Sequence, residues 1–92
     1  MIRVRFDGPT VTMEGHAGYA PRGEDIVCAA MSALVYVQVR LLEETGGLEG
    51  LTAEDGFVEI KLGRGARCRA LELGVRWLST EYPQCVQVTG NN

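Results

Sequence analysis

The only histidine of the chain, His16, precedes Cys28 by twelve residues, and these two residue types can work as a pair. A cysteine attacks a carbonyl carbon as its thiolate, and an unperturbed thiol is ionised only to a few per cent at neutral pH. A histidine within hydrogen-bond reach takes the thiol proton and can later return it to a leaving amine. The neighbours of Cys28 favour that chemistry. Asp25 reads as a helix N-cap, which puts Cys28 at the third helical position. There the unpaired backbone N–H groups and the positive end of the macrodipole favour negative charge. The same N–H groups could donate to a tetrahedral oxyanion. Ala29 and Ala30 offer no bulk against an approaching substrate. Ser32 lies one turn beyond Cys28 on the same helix face, near the sulfur or the substrate.

Each of these residues also has a plainer role. A cysteine in an apolar helix is ordinarily a small buried hydrophobe, and a histidine at a strand end is ordinarily a surface or capping residue. A helical serine usually bonds back to a carbonyl one turn earlier. Local chemistry alone therefore leaves packing and catalysis both open. Cys68 and Cys85 read as packing residues. With His16 and Cys28 they lack the paired spacing of a structural zinc site, so no metal is expected. No phosphate-binding or dinucleotide-binding glycine loop occurs in strand-to-helix context, so no cofactor is expected either.

The elements that must position the pair follow from periodicity. Ile2, Val4 and Phe6 alternate with Arg3 and Arg5, as in a half-buried strand. Asp7-Gly8-Pro9 has turn chemistry, and Val11–Gly15 returns as a second strand. The stretch Ala17–Glu24, with two glycines and a proline, reads as a mobile loop. A helix follows from Asp25 to about Glu44, apolar on most of its circumference, and Gly46-Gly47 ends it. Such a helix is buried on several sides or packs on a second subunit. Leu48–Ala53 and Phe57–Leu62 flank the hairpin signal Asp55-Gly56. A second helix is expected over Arg64–Glu81, stopped by Pro83, then a strand over Cys85–Thr89 and a fraying Gly-Asn-Asn tail. The order β-β-α-β-β-α-β predicts an α+β fold, a mostly antiparallel sheet with both helices on one face.

Bulk properties narrow the function classes. A chain of 92 residues is one domain, 1–92. Nine basic and twelve acidic residues give a net charge of −3, which argues against a nucleic-acid binder. The one basic cluster, Arg64, Arg67 and Arg69, is small and reads as a solvated helix start. The N-terminal stretch alternates instead of forming a signal peptide, and the apolar run Ile26–Val37 is too short to span a bilayer, so a cytoplasmic location without membrane contact is expected. An odd cysteine count argues against a disulfide framework.

The segment Gly15-His16-Ala17, followed by a short loop and then Gly23-x-Asp25-Ile26-Val27-Cys28-Ala29-Ala30-x-Ser32, resembles the signature of the ribosomal-processing cysteine protease family, Prp. The resemblance implies a homodimeric cytoplasmic bacterial enzyme. Its partner would be a large-subunit ribosomal protein (number twenty-seven), whose N-terminal extension it removes by cutting after a phenylalanine. By that pattern Cys28 is the nucleophile and His16 its base, while Asp25, Ser32, Gly15, Gly23 and Ala29 support the site or the substrate. The loop 17–24 matches the family's flexible loop over the bound peptide. Asp25 or a backbone carbonyl would orient the imidazole, and Met31, Tyr19 or Tyr36 would receive the aromatic side chain. The competing reading is a non-catalytic dimeric module that holds a ribosomal-protein tail without cutting it.

Overall fold

Alternation sets the first hairpin. In the computed structural model, which describes residues 1–91, β1 (Ile2–Asp7) buries Ile2, Val4 and Phe6 and exposes Arg3, Arg5 and Asp7. Gly8 turns the chain with φ 59°, and β2 (Thr10–Gly15) pairs antiparallel with β1 from Asp7↔Thr10 to Ile2↔Gly15. After the loop, α1 runs over Ile26–Thr45. It ends in a Schellman motif: Gly46 is left-handed, and the Gly47 N–H reaches the Leu42 carbonyl at 2.9 Å. Strands β3 (Leu48–Glu54) and β4 (Phe57–Leu62) form the second hairpin, then come α2 (Arg69–Glu81) and β5 (Val86–Asn91).

The sheet order is β3-β4-β2-β1-β5, antiparallel except for the β1–β5 pair. One face is buried, with Val4, Val11, Met13 and Ile60 meeting Val27 and Met31 of α1 and Leu71, Val75 and Leu78 of α2 in one core. The predicted α+β architecture and element order are those of the structure, with a single hydrophobic core for the whole domain.

Three expectations are corrected. The second helix begins at Arg69, not Arg64, because Gly65 is left-handed (φ 78°) and the Ala66 N–H closes a turn on the Gly63 carbonyl at 3.0 Å. Its N-cap, Cys68, makes no capping bond to the helix start through its side chain, and the Leu71 N–H is received by Oε1 of the buried Gln38, from α1, at 2.9 Å. Strand β5 begins at Val86 and runs through Gly90 and Asn91 instead of fraying there; Asn92 lies outside the described residues. Parallel pairing with β1 extends to Asp7↔Asn91, and Arg76 holds the Gly90 carbonyl at 2.8 Å. Finally, α1 taken whole has 20 residues and is long and apolar enough, by length and composition, to cross a membrane, unlike the shorter run Ile26–Val37. In this fold it packs on α2 and the sheet through Val27, Met31, Gln38 and Leu42, leaving Ile26, Tyr36, Val37 and Leu41 exposed.

Candidate active site

Strand β2 ends at Gly15 with φ 98°, and a Cβ there would run into the Met1 carbonyl, so only glycine lets the chain leave the sheet this way. His16 is the next residue and is exposed. Across from it, the start of α1 presents Cys28, half-buried. His16 and Cys28 line one cavity of about 880 Å³. Gly15, Gly23, Asp25, Ala29 and Ser32 line the same cavity, so the nucleophile, the base and the supporting residues read from the sequence converge on one place.

Asp25 joins the parts together. Its Oδ1 accepts from the Val27 and Cys28 N–H groups, each at 3.0 Å, which is the expected cap. Its Oδ2 accepts from the loop, from Tyr19 N–H at 3.0 Å and Ala20 N–H at 3.4 Å. Burial pushes this carboxyl upward, but the N–H donors of Cys28, Tyr19, Ala20 and Val27 outweigh it and hold it below the usual carboxylate value. The carboxylate is thus committed to backbone amides, and no bond joins it to His16 among the described residues.

Three amides at the helix start already have acceptors within the protein. Val27 and Cys28 donate to Asp25 Oδ1, and the Ala29 N–H donates to the Asp25 carbonyl at 3.1 Å. The amide that faces the sulfur is the one of Ala17, 3.4 Å from Cys28 Sγ. Ala17 itself is buried, which fixes that N–H.

The loop read as mobile is tied at several points. Besides the Ala17 and Asp25 bonds, the Tyr19 ring meets Tyr82 edge-on at 5.5 Å, and Arg22 reaches Asp55 at 3.6 Å in an exposed ion pair. Of the three side chains named for an aromatic pocket, Met31 and Tyr36 line the cavity, beside Met13, Val35 and Phe57. Tyr19 does not; its ring is used on Tyr82.

The part that sequence reasoning missed is the tip of the β3–β4 hairpin. Glu54, Asp55 and Gly56 form a wall of the cavity because β4 pairs with β2 up to Glu14↔Phe57, which sets the tip beside His16. Asp55-Gly56 is recognisable as a turn, but nothing local says which strand will lie next to β2. Among the described residues no group of three or more His, Cys, Asp or Glu could hold a metal ion, and none of the three cysteines is in a disulfide.

A thiol at a helix start, a backbone N–H on its sulfur and an accessible imidazole in one cavity can carry out acyl transfer. Comparison with known proteins bears on that chemistry directly. Among solved structures, the chain is similar to SMU.848 from Streptococcus mutans, at 27% identity over 97% of this chain and 96% of that one, with a TM-score of 0.78. It also shares its fold with the ribosomal processing protease Prp from S. aureus, solved in complex with a covalently linked product peptide. The TM-score there is 0.81, at 19% identity over 96% and 95% of the two chains. No curated protein matches the sequence. The family described as cysteine protease Prp matches residues 1–87. With nearly the whole chain covered and the thiol-bearing cavity at its centre, the chain belongs to the Prp family of ribosomal-processing cysteine proteases.

Proposed function

We propose that this cysteine protease removes the N-terminal extension of a large-subunit ribosomal protein (number twenty-seven), with Cys28 as nucleophile and His16 as its acid–base partner. The observation that carries the reading is the meeting of both residues in one apolar-floored cavity, with the Ala17 N–H directed at Cys28 Sγ. His16 takes the thiol proton, and the sulfur attacks the scissile carbonyl carbon to form a C–S bond. In this reading the Ala17 N–H, next to the sulfur, donates to the developing oxyanion. Collapse breaks the C–N bond, and His16 gives its proton to the departing amine. Water, deprotonated by His16, then attacks the thioester, and the thiol is regenerated as the acid leaves.

Met13, Met31, Val35 and Phe57 offer apolar surface for the aromatic side chain before the cut. Ser32, exposed on the cavity wall, is placed to bond substrate backbone, and Ala29 leaves room for it. Gly15 and Gly23 (φ 91°) shape the two ends of the loop, while Asp25 holds it in place. In this reading the enzyme works in the cytoplasm, where thiols stay reduced. It works as a homodimer joined through the exposed apolar side chains of the helical layer, Val37 and Leu41 of α1 with Leu73 and Trp77 of α2.

The test is incubation of the purified protein, beside Cys28→Ala, with a peptide copying the extension, read by mass spectrometry. A single cut after phenylalanine by the wild type only is expected, with a loss of several orders of magnitude in the variant. Equal cleavage by both proteins removes Cys28 from the mechanism, and a bound but uncut peptide replaces this reading with the non-catalytic module that holds the tail without cutting it.

A further inference from the structure

The geometry points to Gly56, at the tip of the β3–β4 hairpin, as the positioning residue for the His16 imidazole; this rests on the reading of His16 as the base. A Cβ built on Gly56 would lie 3.1 Å from His16 Nε2, 3.6 Å from Cε1 and 3.8 Å from Cδ2. The Nε2 end of the ring therefore sits against Gly56 with only a hydrogen between them, and any side chain there must displace the ring. The backbone is joined at the same place, since the Gly15 N–H donates to the Gly56 carbonyl at 2.9 Å. One residue of the hairpin thus holds both the strand end that carries His16 and the ring itself. Asp25 does not share the task, because both its oxygens are taken by amides of the loop and the helix start.

Glycine at this position answers two demands that can be separated. Its φ of 75° is a left-handed conformation that side chains disfavour, and its missing Cβ makes room for the imidazole. Gly8, in the first hairpin, has the first demand (φ 59°) without the second, for nothing lies within 4 Å of its added Cβ. Gly8→Ala is therefore the control for backbone strain, and Gly56→Ala adds the contact with His16.

The experiment compares Gly56→Ala, Gly8→Ala and His16→Ala in the intact protein. It follows kcat and KM on the extension peptide and the pH dependence of Cys28 alkylation by iodoacetamide. Displacing the base by a few tenths of an ångström or more should lower kcat roughly 10-fold in Gly56→Ala, with KM within about 2-fold. The alkylation profile should move toward that of His16→Ala, and Gly8→Ala should keep both wild-type values. Wild-type kcat and profile in Gly56→Ala, with His16→Ala inactive, overturn the role of Gly56 alone. Full activity of His16→Ala overturns the reading beneath it. Should Gly56→Ala fail to fold, proton NMR of the wild type decides: cross-relaxation between the His16 ring and the Gly56 Hα protons is expected, and its absence refutes the contact.

Discussion

Replacing Asp25 by alanine should loosen the helix start and the loop together, because one carboxylate serves both. Two of its bonds, to Val27 and Cys28 at 3.0 Å, form the N-cap of α1. Losing such a cap costs about 1 kcal/mol. The bond to Tyr19 N–H at 3.0 Å has a charged acceptor and contributes roughly 1.5 kcal/mol, while the one to Ala20 at 3.4 Å adds little. The expected loss is then about 2–3 kcal/mol. A domain of this length is stable by roughly 5–14 kcal/mol, so the variant should still fold. An unfolding entropy of about 0.19 kcal/mol/K for this length converts the loss into a drop of roughly 10–15 °C in Tm. Cleavage should fall as well, since the loop that Asp25 holds also carries the Ala17 N–H that meets Cys28 Sγ. The effect has a pH signature. The folded carboxyl titrates below its ordinary 3.8, so its stabilisation is fully present above that value and is lost as pH falls through the lowered folded one. Thermal melts of wild type and Asp25→Ala at neutral pH and near pH 3 measure this, and the gap between them should narrow in acid. A neutral-pH difference under about 2 °C, or a gap that persists unchanged in acid, would refute the clamp.

Other consequences are independent of that clamp. Iodoacetamide should label Cys28 first and Cys68 last, as peptide mapping would show: Cys68 is fully buried, and burial together with the Glu72 charge pushes its thiol up to about 11. Preferential labelling of Cys68 would contradict its burial. Gln38→Leu should destabilise the domain by roughly 1–3 kcal/mol in urea melts, because it strands the Leu71 N–H that Gln38 receives in the interior. An unchanged midpoint would mean that α2 finds another cap. Sedimentation at micromolar concentration should show a dimer that Trp77→Glu converts to monomer, since a charge at the exposed Trp77 opposes burial of that face. A monomeric wild type removes the dimer from the proposed function.

Several features were legible from local sequence because they depend on neighbours along the chain. Alternation in Ile2–Phe6, the Asp25 cap, the Gly46-Gly47 stop and the Asp55-Gly56 turn each appear in the structure where the residues put them. The limits of local reading appear at α2. Helical spacing runs back from Glu81, but it does not say that Gly63–Ala66 will close its own turn, nor that a glutamine 33 residues earlier will cap the helix.

At the site, the sequence by itself determined the chemistry: one histidine, a cysteine in the first turn of a helix, and an aspartate able to cap that helix. These are properties of residue type and short spacing. Tertiary structure alone decided what each group faces. Pairing of β2 with β4 brings Gly56 under His16, and the path of the loop aims the Ala17 N–H at Cys28. The cap that makes Asp25 recognisable also occupies the Val27 and Cys28 amides, two of the donors that the helix start offered an oxyanion. Strand order and loop path depend on contacts between residues distant along the chain, and local periodicity carries no record of them.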